Sequence, residues 1–226
     1  MRPFADLWQP ALIGLIFEFF ALLALRFRRR VSLTFFYIYT GGIMALLQLA
    51  TQSGSAVLLG RLYFRYTPIY LFSLLLLTIL IMYELFDLDT ARNYSLSLII
   101  GRILIFILFF VVIIFSFIFQ NAENPINLTL GILGKPIPLI ASLLGFIIAI
   151  FLSVLVYAFL RSKRVHFFIS GVLAIWVSGV VYLGIFLFPA YLKFPKIFVN
   201  DFYQMTASAV VLPLFNLILW KWVKGK

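Results

Sequence analysis

The chain has 226 residues, of which 65% are hydrophobic and 11% are charged, and its mean hydropathy is +1.15. A soluble domain is roughly 45–50% apolar and 25% charged, so this composition excludes a water-soluble globule. The absence of cysteine excludes disulfides, thiolate catalysis and cysteine-ligated metals. The formal net charge is +11, but the Lys and Arg residues lie at the ends of apolar runs, where they face lipid phosphates. We therefore expect the lipid bilayer, and not a nucleic acid, as the partner of these charges.

Long apolar runs fill most of the chain. A helix of roughly 20 apolar residues crosses a hydrocarbon core of about 30 Å. Runs of this length occupy residues 9–27, 33–50, 68–85, 96–119, 137–160, 167–188 and 205–222. The first run is too long for a secretory signal peptide and ends in a basic cluster, so we expect it to remain as a helix. The sequence thus predicts an all-α, polytopic transmembrane helix bundle of six to seven spans, which forms a single integral membrane domain over residues 1–226.

The second run is the least regular. It contains Thr40, Gly41, Gly42 and Gln48 and passes into a polar stretch at 51–55, so a broken or re-entrant segment is one interpretation.

Two connectors differ from plain turns. Residues 120–135 alternate apolar and polar side chains between Gly and Pro, which predicts a short hairpin on the outer face. Residues 190–204 combine aromatic and basic side chains, which favours a helix lying on the membrane surface over a substrate lid.

The basic residues predict the orientation of the chain. If seven spans alternate, one side receives eleven Lys and Arg residues and the other receives six, with Arg102 inside a span. Because basic connectors stay in the cytoplasm, this asymmetry predicts a multi-pass protein of the cell (inner, cytoplasmic) membrane. Its N-terminus is then outside and its C-terminus cytoplasmic.

Two ionisable residues lie within predicted spans and are candidates for function. Glu18 is near the middle of the first span, and Arg102 is about six residues into the fourth. Their expected depths from the cytoplasmic ends are about 13 Å and 9 Å, so the two side chains are able to meet. Three interpretations stay open: a structural ion pair, a role in binding substrate or a proton, and no contact at all.

The segment 83–89 concentrates three of the seven acidic residues at one membrane face. A metal site at Asp87 and Asp89 is one interpretation, and a helix N-cap at Asp89 or Thr90 for the fourth span is the other. The single histidine, His166, lies in a basic connector, and no intramembrane histidine accompanies Ser55. The sequence therefore indicates no catalytic residue, metal or cofactor, and we expect that the chain is not an enzyme.

The segment PIYLFSLLLLTILIMYELFDLDTARNYSLS resembles the VUT family of vitamin and queuosine-precursor uptake transporters, with Glu84, Ala91 and Arg92 at matching positions. The later segments IASLLGFIIAIFLSVLVYAFLRSK, FFISGVLAIWVSGVVYLGIFLFP and QMTASAVVLPLFNLILW resemble that family's later helices in order. The range Arg102–Leu160, and especially its segment FIFQNAENPINLTLGILGKPIPL, is similar to the two-helix region of lipopolysaccharide assembly protein A and its relatives. Gln120 and Asn121 carry that likeness.

The first resemblance implies uptake of a vitamin-like or nucleobase-like solute. On this hypothesis a cavity near the membrane midplane binds the solute, and its candidate lining residues are Glu18, Gln48, Arg102, Trp176 and Asn216. The alternative hypothesis is a membrane sensor or an assembly module without transport activity. An energising partner in the membrane is compatible with either hypothesis, and the sequence identifies none.

Overall fold

The computed structural model describes residues 5–53, 56–59, 62–65, 68–118, 136–191 and 195–224. This part of the chain forms seven helices and one two-stranded antiparallel hairpin. In chain order the elements are α1 Ala5–Arg26, α2 Arg28–Ser53, β1 Ala56–Leu59, β2 Leu62–Arg65, α3 Pro68–Leu85, α4 Leu88–Ile118, α5 Pro136–Ser162, α6 Phe167–Tyr191 and α7 Pro195–Lys224. The prediction of a helical architecture is confirmed.

Four of the helices contain a segment that is long and apolar enough to cross a membrane: Leu88–Leu108, Ile140–Ser162, Phe167–Ile185 and Asp201–Lys224. On α5 the exposed large apolar side chains recur every three or four residues, as on a lipid-facing stripe. They are Ile140, Leu144, Ile148, Phe151, Leu155 and Phe159. Shorter apolar helical segments lie in α2, at Leu33–Gln48, and in α3, at Ile69–Leu85.

Helix α3 is the centre of the bundle. Every side chain from Ile69 to Met82 is buried, and α3 packs against all six other helices. No charged residue interrupts it before Glu84, and a helix that is apolar on all sides is stable only where protein or lipid surrounds it. The predicted span 68–85 matches the bounds of this helix, but its central position was not predictable from hydropathy.

Helix α2 is continuous through Gly41 and Gly42, so the break that the sequence suggested is not present. Polar residues in this helix bond within the bundle instead. The Thr40 hydroxyl donates to the Phe36 carbonyl, one turn earlier in the same helix, at 3.0 Å. The hydroxyl therefore has a hydrogen-bond partner without leaving the helix. The apolar residues after the polar stretch form the hairpin β1–β2, in which Leu59 pairs with Leu62.

Helix α4 begins at Leu88, eight residues before the predicted start of the fourth span. The Asp87 carboxylate caps it by accepting the Thr90 backbone N–H at 2.6 Å, so the predicted cap at Asp89 or Thr90 is wrong. The bonds from the Thr90 N–H and side chain lower the pKa of Asp87 below its usual value. The first two turns carry exposed polar side chains, Arg92 among them, and hydropathy therefore missed them.

Two predicted connectors have different outcomes. Residues 195–204 form the first turns of α7 and are continuous with it, so a separate surface helix is not present. The hairpin predicted for residues 120–135 lies outside the described residues.

The basic helix ends meet at one end of the bundle. The Arg26 guanidinium donates to the Trp222 carbonyl at 2.7 Å, and Arg28 donates to the Val223 carbonyl at 3.3 Å. We call this end the basic face, and it comprises Arg26, Arg28, Arg161, Lys163, Arg164, Lys221 and Lys224. These bonds satisfy carbonyls that the last turn of α7 leaves without partners, and they join α7 to the turn between α1 and α2.

Candidate functional site

Arg102 of α4 is buried to 2% exposure inside the bundle, and not in contact with lipid, where a guanidinium is costly. Its Nη2 donates to the Ser142 hydroxyl of α5 at 3.1 Å, and its guanidinium carbon lies 5.4 Å from the centre of the Phe146 ring. Tyr182 of α6 is close enough to interact electrostatically with the guanidinium. Helices α4, α5 and α6 therefore converge on this one cation.

Aromatic rings form the wall behind the guanidinium. Phe72 of the central helix stacks on Tyr182 with the ring centres 4.1 Å apart and lies 5.9 Å from Phe146. Because the face of an aromatic ring carries negative electrostatic potential, these rings offset part of the cost of desolvating Arg102. Gly145 lets Tyr182 approach α5, since a Cβ at that position would lie 3.2 Å from the tyrosine ring.

The charge of Arg102 is not neutralised within the described part of the chain. Its Nη1 has no hydrogen-bond partner there, and no described carboxylate forms an ion pair with it. A hydroxyl and an aromatic face satisfy a buried guanidinium only in part, because a buried charge usually requires a paired charge. The arrangement is therefore suited to receive an anionic group at Nη1.

The ion pair between Glu18 and Arg102, one of the three interpretations of these residues, is not present among the described residues. Glu18 lies on α1, which packs against α2, α3 and α7, and neither of its carboxyl oxygens has a described hydrogen-bond partner. Glu18 lies about 12 Å along α1 from Arg26, whereas Arg102 lies about 20 Å along α4 from Leu88. Helices α2 and α3 each pack against both α1 and α4. Sequence reasoning estimated the depths and had no information on which helices are neighbours.

The depth of Arg102 also differs from the prediction. Arg102 lies about 20 Å along α4 from Leu88, and not about 9 Å, because the helix begins eight residues earlier than the apolar run. The guanidinium is thus in the half of the bundle that is remote from the basic face.

The other three predicted site residues lie at separate places. Gln48 is buried near the end of α2 that is remote from the basic face. Trp176 of α6 donates its ring N–H to the Thr206 hydroxyl of α7 at 3.2 Å. Asn216 of α7 is buried nearer the basic face, and its Oδ1 has no partner among the described residues. No described hydrogen bond or ring contact joins any two of the five predicted residues.

Asn216 lines a cavity of about 10 Å³ beneath the basic face, together with Glu84, Tyr157 and Pro213. This volume accommodates about one water molecule. A larger open cleft of about 510 Å³ lies directly above, lined by Glu84 and Arg161 among others. Glu84 lines both the cleft and the small cavity, so its side chain is shared by the two.

A second polar cluster, which sequence reasoning did not single out, surrounds Glu84. Its carboxylate accepts from Arg161 Nε at 2.6 Å and from the Tyr157 hydroxyl at 2.9 Å. Arg161 also donates through Nη1 to the Val165 carbonyl at 2.8 Å. The i, i+4 spacing of Tyr157 and Arg161 on a helix was the available signal.

Ser142, Phe146 and Tyr182 were also missed as neighbours of Arg102. Ser142 and Phe146 are likewise one turn apart on α5, but many apolar helices carry such pairs. Only their approach to Arg102 distinguishes them.

No cluster of three or more His, Asp or Glu side chains with metal-binding geometry is present among the described residues. Comparisons of the chain with protein-family models, with curated proteins and with solved structures find no match.

Proposed function

We propose that the chain is an integral membrane uptake protein for a small solute, and that Arg102 binds an anionic group of that solute. The observation that carries this proposal is the buried guanidinium, which has no described carboxylate partner and is held between Ser142 and aromatic rings. An ionisable side chain at this depth is costly, and such residues most often serve binding or translocation.

The chemistry of the surrounding wall supports a planar solute. Phe72, Phe146 and Tyr182 offer ring faces beside a cation and a hydroxyl, and a solute with an aromatic ring and an anionic substituent uses both. The resemblance to vitamin and queuosine-precursor transporters supports the same class, a vitamin-like or nucleobase-like molecule. Solute binding at Nη1 would remove the cost of an unneutralised buried charge.

The proposal includes seven spans and a defined orientation. Helices α1, α2 and α3 then cross the membrane beside the four longer spans, and the basic face lies in the cytoplasm. The gathering of basic residues from the ends of four helices, α1, α2, α5 and α7, at one end of the bundle supports this orientation. In this orientation the Arg102 site is nearer the outer surface, where a solute for uptake arrives.

A thermal-stability screen on the purified full chain in lipid nanodiscs tests the proposal. Vitamins, nucleobases and queuosine precursors with and without a carboxylate are compared. A solute at about 100 times its dissociation constant stabilises the folded state by about 2.7 kcal/mol, which corresponds to about 5–10 °C for a chain of this size. We expect anionic planar solutes to produce this shift.

Arg102→Leu should abolish the shift, whereas Arg92→Leu, the matched change at an exposed position of the same helix, should preserve it. If Arg102→Leu does not fold, Tyr182→Phe and Phe146→Leu test the same site, and each should weaken the response. Glu123→Gln addresses the possibility that this acid, outside the described residues, neutralises Arg102. It should leave the shift unchanged.

Two outcomes would overturn the proposal. The absence of both stabilisation and uptake into vesicles across the whole panel would favour the sensor or assembly hypothesis. Stabilisation that persists undiminished in Arg102→Leu would place the solute elsewhere in the bundle.

A further inference from the structure

Glu18 is the other ionisable side chain in the bundle interior. It is fully buried on α1, on the face that also carries Gly14, Ala21, Leu22 and Leu25. Both carboxyl oxygens lack a hydrogen-bond partner among the described residues. Within the described part of the chain, this carboxyl group therefore has neither the ion pair nor the hydrogen bonds that keep a buried carboxylate charged elsewhere in proteins.

The helices around Glu18 bring no described cation to it. On α2 the nearest titratable group is Tyr39, whose hydroxyl donates to the Phe17 carbonyl at 2.8 Å. On α3 it is Tyr70, whose ring packs on Gly14, one turn from Glu18. Helix α7 has no titratable side chain between Tyr203 and Lys221. All of these groups are neutral hydroxyls or lie several turns away.

The two arginines that follow Glu18 in the chain are engaged elsewhere. Arg26 lies about 12 Å along α1 from Glu18 and donates to the Trp222 carbonyl, and Arg28 donates to the carbonyls of Leu25 and Val223. Neither contributes a counter-charge to the carboxyl group.

The side chains beside Glu18 on α1 favour a proton over a metal ion as its partner. Sodium, calcium or magnesium needs several oxygen ligands, and the side chains on the same face of α1 are apolar. A proton needs only the carboxylate itself. Adding one proton converts a buried charge into a neutral acid and removes the cost of desolvation.

We propose that Glu18 is a proton-binding site, and that it couples solute uptake to the proton gradient. The carboxylate takes one proton from the outer side when water reaches it, holds it as the carboxylic acid while the bundle is closed, and returns it on the cytoplasmic side. The proton site stands on the geometry of Glu18 alone, whereas the coupling rests on the proposed uptake function.

Infrared spectroscopy of the purified chain in lipid tests the site without any solute. At neutral pH we expect a carboxylic acid carbonyl band that Glu18→Gln removes and Glu84→Gln retains, because Glu84 is held by Arg161 and Tyr157. Glutamine keeps the size of the side chain and has no charge, so Glu18→Gln should fold. A spectrum without this band, or with a band unchanged in Glu18→Gln, would overturn the proposal.

Carbodiimide labelling gives a second readout on the unmodified chain. Dicyclohexylcarbodiimide enters lipid and reacts with protonated carboxyl groups, so mass spectrometry should find the label on Glu18 at neutral pH and much less on Glu84. Labelling of Glu84 alone would contradict the proposal, even if Glu18→Gln failed to fold.

Vesicle transport tests the coupling. An inward proton gradient should stimulate uptake of a solute found in the thermal screen, and Glu18→Gln should lose that stimulation. Stimulation that persists in Glu18→Gln would reject the coupling. A screen that finds no solute would instead reject the proposed uptake function, while the infrared band would still decide whether Glu18 binds a proton.

Discussion

The charged side chains inside and at the end of this bundle differ in how many partners they have. At the basic face Glu84 has a full set of partners, with Arg161 as its ion pair and Tyr157 as a hydrogen-bond donor. In the interior Arg102 and Glu18 have few or none among the described residues. Because an unsatisfied buried charge is expensive, the first arrangement suits structure and the second suits the binding of a ligand.

The Glu84 cluster should act as a structural clamp between α3 and α5. Glu84→Gln removes the charge that accepts three hydrogen bonds, two from Arg161 Nε and Nη2 and one from the Tyr157 hydroxyl. We expect it to lower the free energy of unfolding by about 1–3 kcal/mol. Because the Arg161 side chain is 31% exposed, water weakens the ion pair, and we expect a loss near the lower end of this range. Unfolding in mild detergent with increasing denaturant measures it.

A double-mutant cycle with Arg161→Leu completes this test. The two changes should be less than additive, because each one already breaks the same pair. Asp89→Asn, at an exposed position, is the matched control and should have little effect. Strictly additive losses in the free energy of unfolding would show that Glu84 and Arg161 do not stabilise each other.

At the scale of elements, small residues determine how closely helices approach. Helices α6 and α7 pack through Gly179, which faces the Met205 side chain, and through Gly171, which faces Pro213. Trp176 adds a hydrogen bond to Thr206 across the same interface. Small residues let helix backbones come close, which is the main source of helix association in lipid.

Gly179→Ala should destabilise this interface. A Cβ at this position overlaps Met205, which has to adopt another rotamer, and overpacking of this kind costs about 1–3 kcal/mol. Gly184→Ala in the same helix meets no atom within 4 Å and should be neutral or slightly stabilising, since Ala favours helix over Gly. Thermal unfolding of the two variants in one detergent makes the comparison. Equal melting temperatures would show that α6 and α7 adjust without cost.

At the scale of the whole molecule, the central position of α3 organises the bundle. The other helices surround it, and the exposed apolar stripe of α5 is suited to lipid contact. Phe72 of α3 is part of the wall behind Arg102, and Tyr70 of the same helix packs on Gly14, one turn from Glu18. A movement of α3 would therefore affect both, which is the geometry that the proposed coupling requires.

The proposed orientation predicts a labelling pattern. The natural chain has no cysteine, so single cysteines report without background. Ser162→Cys, exposed at the basic face, should react with an impermeant maleimide only after the cells are permeabilised, because basic connectors remain in the cytoplasm. Asn121→Cys should react in intact cells. The reverse pattern would invert the orientation, and labelling of both positions from one side would contradict the seven-span count.

Much of this fold is predictable from the sequence alone, because the free energy of transferring an apolar run from water into lipid depends on that run itself. An apolar run of span length is helical in lipid whatever its neighbours are, and the bounds of α3 follow directly from the sequence for that reason. The burial of Arg102 is likewise predictable, since lipid does not tolerate a guanidinium.

Only the tertiary structure decided which helices are neighbours. Apolar faces pack against many partners with similar free energy, so hydropathy cannot show that α3 packs against all the other helices, or that Ser142, Phe146 and Tyr182 surround the guanidinium. The polar first turns of α4 were missed for a related reason, because Asp87 and its bond to Thr90 stabilise the helix end without any apolar signal. Depth along the membrane normal is a property of each helix. Contact between two side chains is a property of the packed bundle.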